Sequence, residues 1–122
     1  MRCLVVDDES LARQRLTTLL NDMCECQVCG EAANGEQALQ QVQQLRPDLV
    51  LMDVRLQGRM SGVDAAREIH RRFGIPIVFV TANEGEELDV PDLPSPGARI
   101  PKPFTDEQLE RTLRQTLRGA KT

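Results

Sequence analysis

Four charged side chains in this sequence stand where apolar runs end. Asp7 and Asp8 follow one run, Asp53 follows a second, and Lys102 lies just after a later one. In an open parallel α/β sheet, the carboxyl ends of neighbouring strands meet at one crevice, so these residues are expected to gather there. Two carboxylates about 4 Å apart repel by roughly 4 kcal/mol at an effective dielectric of 20. The pattern therefore predicts a site that binds a divalent cation.

Length and composition indicate one globular domain spanning residues 1–122. The chain has 122 residues, of which 40% are hydrophobic and 28% charged, and no apolar run approaches the roughly 20 residues of a membrane span. Its start lacks a basic segment followed by a long apolar stretch, so we expect no signal peptide and a cytoplasmic location. The net charge of −4 disfavours direct nucleic-acid binding.

Apolar runs alternate with amphipathic stretches along the whole chain. This alternation predicts an α/β fold, in which βα units are wound on a parallel sheet. Helix starts are expected at Ser61 and Thr105, and a helix end at Gly74. Prolines at 91, 94 and 96 exclude a regular helix between the last two strands. The predicted strands span residues 3–6, 27–32, 49–52, 75–80 and 98–100.

The order of these features resembles the receiver domains of the two-component response-regulator family. An acidic pair, an aspartate, a threonine and Lys-Pro-Phe follow successive strands, and the match covers nearly the whole chain. The resemblance implies a flavodoxin-like, doubly wound, five-stranded parallel sheet with strand order 2-1-3-4-5. It further implies a variant of the family in which the helix between the fourth and fifth strands is short or missing.

The resemblance assigns the acidic residues to a phosphoacceptor site that depends on Mg²⁺. Asp53 is the implied phosphoacceptor, whose carboxylate attacks the phosphoryl group and becomes an aspartyl phosphate. Asp8, Asp53 and the backbone carbonyl of Arg55 are the implied Mg²⁺ ligands, and Asp7 holds a metal-bound water. Ligation by oxygen alone suits this hard ion.

The resemblance also assigns residues that bind the phosphoryl group and respond to it. Thr81, Ala82 and Lys102 are the implied phosphoryl-binding and switch residues, and the peptide bond before Pro103 is cis in the family. Most receivers carry Tyr or Phe three residues before the lysine, where this chain has Arg99. The usual aromatic switch is therefore absent, and we expect Arg99 to pair with the acidic 84–89 segment instead.

The implied function is that of a bacterial phosphorelay switch. The phosphoryl donor is a phosphohistidine on a sensor histidine kinase or a histidine-phosphotransfer protein, and the output partner or effector domain is unknown. We expect no enzyme activity beyond self-phosphorylation and autodephosphorylation. The alternative is a degenerate receiver that acts as a phosphorylation-independent interaction module. A phosphoaspartyl phosphatase would need a second carboxylate two residues after Asp53, and position 55 is arginine.

The cysteines and the single histidine are further candidates for metal ligation or catalysis. Cys24, Cys26 and Cys29 are closely spaced, and Cys3 approaches them if the first two strands are neighbours. Their spacing matches no common zinc pattern, so buried or loop thiols are favoured over metal ligands. His70 precedes two arginines on a predicted helix and is interpreted as a solvated residue rather than a catalytic base.

Overall fold

The computed structural model of the chain describes residues 2–23, 26–53, 56, 60–81, 98–101 and 105–120. Five strands and four helices lie within these ranges, and none of these helices is long and apolar enough to cross a membrane. In chain order the elements are β1 (Arg2–Val6), α1 (Ser10–Asn21), β2 (Gln27–Ala32), α2 (Gly35–Leu45), β3 (Leu49–Asp53), α3 (Gly62–Phe73), β4 (Ile77–Thr81), β5 (Ala98–Pro101) and α4 (Asp106–Ala120).

The five strands form one parallel sheet in the order β2-β1-β3-β4-β5. This confirms the predicted flavodoxin-like α/β architecture and its strand order. Strand boundaries differ from the predicted ones by two residues or fewer, and β2 has the predicted bounds. The predicted shortening or loss of a helix between β4 and β5 concerns residues 82–97, which lie outside the described residues.

Two apolar cores cover the two faces of the sheet. The central strand β3 is buried along residues 49–52, as expected for a strand with helices on both sides. Helices α2 and α3 cover one face, and α1 and α4 cover the other. The first core includes Leu4, Val6, Val42, Val50, Met52, Ala66, Ile69 and Phe79. The second includes Cys3, Val5, Leu16, Leu20, Leu51, Val78, Leu109 and Leu113.

The predicted helix starts are confirmed by their side-chain caps. The Ser61 hydroxyl accepts a hydrogen bond of 3.1 Å from the backbone N–H of Asp64 at the start of α3. At α4, Thr105 and Gln108 cap each other, with bonds of 3.1 Å and 2.9 Å. Such reciprocal bonds satisfy N–H groups that lack partners within the helix.

Two helices end with a residue in the left-handed region. Gly74 ends α3 with φ of 67°, as predicted, because glycine adopts this conformation without steric cost. Arg46 ends α2 with φ of 49°, which the sequence did not indicate. Pro47 disfavours the right-handed helical region for the residue before it. The Arg46 guanidinium lies 4.6 Å from the centre of the Phe73 ring, which links the ends of α2 and α3.

The solvated interpretation of His70 is wrong in one respect. Its side chain is half-buried in α3, and its Nδ1 atom is buried without a hydrogen-bond partner among the described residues. The error has a simple cause, since two neighbouring arginines in the sequence do not fix how deeply a helix residue is buried.

The buried thiol of Cys3 makes stability depend on pH in alkaline solution. Burial, followed by the neighbouring thiols of Cys26 and Cys29, raises the pKa of Cys3 from 9.0 to about 12. The unfolded chain therefore ionises this thiol at a pH where the folded chain keeps it neutral. Its contribution is present in full below pH 9.0 and is lost as pH rises towards 12.

We accordingly expect the reduced protein to lose about 1 kcal/mol of unfolding free energy per pH unit above pH 9 because of Cys3. Urea unfolding at pH 8 and pH 10, followed by far-UV circular dichroism, measures this slope. The chain has no tyrosine, so no phenol titrates in this range. The Cys3→Ala variant should show a shallower slope, and an equal slope would contradict the assignment to Cys3.

Candidate acidic phosphoacceptor site

Neighbouring strands bring the three aspartates to one edge of the sheet. Strand β1 ends at Val6, directly before Asp7, and Asp53 is the last residue of β3. Val6 pairs with Met52 across β1 and β3, so the residues that follow each of them lie side by side. The predicted convergence of Asp7, Asp8 and Asp53 is therefore built into the register of two central strands.

The carboxylate oxygens of these residues lie close together. One oxygen from each of Asp7, Asp8 and Asp53 lies within 4.8 Å of the others. Asp7 is 1% exposed, while Asp8 and Asp53 are half-exposed and accessible from solvent. Two unit negative charges 4.8 Å apart repel by about 3.5 kcal/mol at an effective dielectric of 20. A cation among them would offset that repulsion.

The three carboxylates fit Mg²⁺ in chemistry and in spacing. Mg²⁺ takes oxygen ligands at about 2.1 Å in near-octahedral geometry, which places neighbouring ligand oxygens about 3 Å apart and opposite ones about 4 Å apart. The observed limit of 4.8 Å requires only small side-chain movements to reach these distances. No nitrogen or sulfur ligand belongs to this cluster among the described residues, which favours a hard ion.

Backbone and side-chain hydrogen bonds hold Asp7 directly after the last residue of β1. Its N–H donates to the carbonyl of Ala32 over 3.1 Å, which continues the pairing of β1 with β2. Its carboxylate accepts a bond of 2.9 Å from the N–H of Glu9. This bond orders the short connection to α1, where Glu9 occupies the N-cap position without a side-chain cap of its own.

Arg13 supports the same loop, a role that sequence reasoning missed. Its Nη1 atom donates to the carbonyl oxygen of Asp7 over 2.6 Å. Its Nε atom lies 3.7 Å from a carboxylate oxygen of Glu31 on β2. Arg13 therefore connects α1, the end of β1 and the edge strand. The one signal for this role was an arginine in the first turn of the helix that follows an acidic pair. An arginine at that position is equally typical of a solvated helix residue.

We expect Arg13→Ala to lower the free energy of unfolding by about 2 kcal/mol, because a charge-assisted bond to a buried residue is lost. The loosened loop should also weaken Mg²⁺ binding severalfold. Urea unfolding and isothermal calorimetry with MgCl₂ measure the two effects. Arg15→Ala is the matched control, since Arg15 is exposed on the same helix. If both variants behave alike, Arg13 does not hold the loop.

Only some of the remaining predicted site residues lie within the described ranges. Arg55, Ala82, Lys102 and Pro103 lie outside the described residues. Thr81 is the final residue of β4, so its backbone lies at the same sheet edge as Asp53, which pairs with Val80. Arg99 lies in β5 and pairs with Phe79. The assigned roles of all these side chains stay predictions.

Comparison with known proteins agrees with this architecture. The family model of the response regulator receiver domain matches residues 3–114. A protein-glutamate methylesterase/protein-glutamine glutaminase from Alkalilimnicola ehrlichii is 40% identical over 94% of this chain and 31% of its own length. The DNA-binding response regulator MtrA from Mycolicibacterium paratuberculosis is 40% identical over 96% of this chain and 51% of its own length. The chain thus spans only about a third to a half of these relatives.

A solved structure supports the same relationship at the level of the fold. The response regulator domain of Thermotoga maritima CheB superposes with a TM-score of 0.81 at 26% sequence identity, covering 97% of this chain and 96% of that one. The two chains therefore share the same overall fold along nearly their full length. The chain belongs to the response regulator receiver domain family of two-component signalling.

Proposed function

We propose that Asp53 accepts a phosphoryl group from a phosphohistidine donor in a Mg²⁺-dependent reaction, and that this modification controls an output partner or domain. One observation carries the proposal: three carboxylates converge within 4.8 Å at the carboxyl edge of the sheet. Asp53 ends the central strand and is half-exposed, so a donor can approach it. Asp7 is buried beside it and is better suited to a supporting role.

Each residue has a distinct part in the proposed reaction. A carboxylate oxygen of Asp53 attacks phosphorus, and the bond from phosphorus to the donor histidine nitrogen breaks. Asp8, Asp53 and the backbone carbonyl of Arg55 would hold Mg²⁺, and Asp7 would act on it through a water molecule. When bound, Mg²⁺ supplies positive charge that offsets the negative charge of the phosphoryl oxygens. Thr81, Ala82 and Lys102 bind those oxygens and report the modification.

The proposal extends to the setting in which the domain works. Residues 1–122 act as a single receiver domain in the cytoplasm, without direct contact to nucleic acid or membrane. The donor is a sensor histidine kinase or a histidine-phosphotransfer protein. The chain is not an enzyme in its own right, and its only reactions are self-phosphorylation and slow loss of phosphate to water. The methylesterase and DNA-binding relatives indicate that the output differs among proteins with this domain.

Phosphorylation with a small-molecule donor tests the proposal directly. The full chain is incubated with acetyl phosphate, with and without Mg²⁺, and its intact mass is measured. We expect one added phosphoryl group only when Mg²⁺ is present, and none in Asp53→Ala. Asp64→Ala is the control, because Asp64 is an exposed aspartate that does not belong to the cluster. An unmodified wild-type chain would favour the phosphorylation-independent interaction module, and a modified Asp53→Ala chain would exclude Asp53 as the acceptor.

A further inference from the structure

The phosphoacceptor site leaves one group of reactive side chains unused, at the opposite end of the sheet. Cys3 lies on β1, Cys26 directly precedes β2, and Cys29 lies within β2. None of these three cysteines is in a disulfide. Cys24 lies outside the described residues. Cys3 and Asp7 are four residues apart along the chain, which corresponds to about 13 Å in an extended strand.

The thiols of Cys3 and Cys26 contact each other. The two side chains are hydrogen-bonded, and both pack in the core between the sheet and helices α1 and α4. Cys29 instead directs its Sγ atom to the backbone carbonyl of Cys3, over 3.4 Å. A side-chain contact therefore joins Cys3 to Cys26, whereas Cys29 bonds to the backbone of Cys3.

Cys26 lies in the turn that precedes β2, one residue before the strand begins. Cys26 is held by a turn bond of 3.1 Å from its N–H to the carbonyl of Met23, and β2 begins only at the next residue. The pairing of β1 with β2 is also irregular, since Cys3 pairs with Val28 and Leu4 pairs with Gly30. Cys29 is the extra residue of this bulge. Bulges interrupt a ladder locally, so this corner can adjust more readily than the sheet centre.

The two thiols differ in accessibility, which sets an order of reaction. Cys3 is fully buried, and Cys26 is half-buried, so an oxidant from solvent reaches Cys26 first. Burial, with added effects of Cys26 and Cys29, raises the pKa of Cys3 to about 12. Cys3 is consequently a neutral thiol near pH 7 and a weak nucleophile, so its attack on the oxidised Cys26 sulfur is the slower of the two steps.

We propose that Cys3 and Cys26 form a redox-sensitive pair that a hydroperoxide converts to a disulfide. In the first step, the Cys26 sulfur attacks the peroxide, an S–O bond forms and the O–O bond breaks. The thiol proton leaves with the departing oxygen as an alcohol, or as water from hydrogen peroxide. In the second step, the Cys3 sulfur attacks the Cys26 sulfenic acid, the S–O bond breaks, and hydroxide leaves with the Cys3 proton as water.

The disulfide would join the start of β2 to the first core strand and close a loop over residues 3–26. That loop contains α1 and the acidic pair at its entrance, so the bond would constrain the segment that supports the phosphoacceptor site. A change from hydrogen-bonded thiols to a bond of about 2.05 Å requires a small shift of the Cys26 turn. In a reducing cytoplasm such a bond would be transient, as is typical of redox-responsive cysteines. This proposal stands independently of phosphorylation at Asp53.

Oxidation of the folded, full-length chain tests the pair. The reduced protein is treated with hydrogen peroxide at an equimolar ratio, free thiols are alkylated, and a non-reducing tryptic digest is analysed by mass spectrometry. We expect the loss of two alkylatable thiols per chain and a cross-link between the peptide that begins at Cys3 and the peptide that contains Cys26. Because that second peptide also contains Cys24 and Cys29, cysteine variants are needed to identify which of its three thiols forms the disulfide with Cys3.

The double variant Cys24→Ser with Cys29→Ser should still form the cross-link, whereas Cys26→Ser should not. Cys26→Ser is the main negative control, because it alters a half-buried position, and Cys3→Ala serves as a second one if circular dichroism shows it folded. A disulfide that joins Cys26 to Cys24 or Cys29 would overturn the proposal. So would sulfinic acid at Cys26 without any disulfide, or an intermolecular bond visible as a dimer on a non-reducing gel.

Discussion

Replacing Asp8 with alanine is expected to abolish Mg²⁺-dependent phosphorylation while making the metal-free fold more stable. Asp8 contributes one of three carboxylates whose oxygens lie within 4.8 Å of each other. Its removal deletes the repulsion of Asp8 with Asp7 and with Asp53. Because Asp8 is half-exposed, solvent screening limits the resulting gain in the free energy of unfolding to about 1 kcal/mol in total. The same change removes a proposed direct ligand, which should weaken Mg²⁺ binding by about 100-fold, or nearly 3 kcal/mol.

Urea unfolding with EDTA and with MgCl₂ separates these opposite effects. A ligand that binds only the folded state raises its stability, so we expect MgCl₂ to stabilise the wild-type chain. The Asp8→Ala chain should be more stable than wild type in EDTA and gain almost nothing from Mg²⁺. Asp22→Asn is the matched control, because it removes one negative charge at an exposed position at the end of α1. If Asp8→Ala is destabilised in EDTA, or still stabilised by Mg²⁺, the three carboxylates do not form a strained cation site.

The elements around this site could be predicted largely from local sequence patterns. Apolar runs bounded by polar residues identified the strands, and the parallel topology then required the ends of β1 and β3 to meet. The side-chain caps at Ser61 and Thr105 were predictable because a cap depends on residues only three positions apart. For the acidic cluster, spatial convergence followed from the order of strands, although the roles of the residues stay predictions.

Features that depend on packing between distant segments were not predictable. The link from Arg13 to the Asp7 carbonyl depends on how α1 turns after β1, and the sequence pattern does not fix that angle. The irregular pairing near Cys3 was missed because β2 is only partly buried, so its alternation constrains register weakly. The left-handed conformation of Arg46 was not predictable either, because Pro47 disfavours the right-handed helical region for the residue before it without selecting which other region it adopts.

The largest loss of stability is expected for Phe79→Ala, at about 3–5 kcal/mol. Phe79 is fully buried in β4 and pairs with Met52 of the central strand. Its ring fills the core that also includes Ile69 of α3, so truncation to alanine leaves a cavity. Because helices cover both faces of the sheet, the surrounding residues have little freedom to move in and fill that cavity. Natural domains have only about 5–15 kcal/mol of stability, so the variant should be partly unfolded at 37 °C.

Urea unfolding monitored by far-UV circular dichroism measures this loss, and the chain supplies its own control. Phe73 is half-buried at the end of α3 and contacts the guanidinium of Arg46. Phe73→Ala removes the same atoms from a partly solvated position, so it should cost about 1–2 kcal/mol. Phe79→Leu should recover most of the lost stability, because it restores apolar volume next to Met52. Equal costs for the two alanine variants would show that burial at the sheet centre does not dominate stability.

Because β4 ends at Thr81, the Phe79→Ala change should also displace the end of this strand beside Asp53. We therefore expect slower phosphorylation in the fraction of the variant that remains folded.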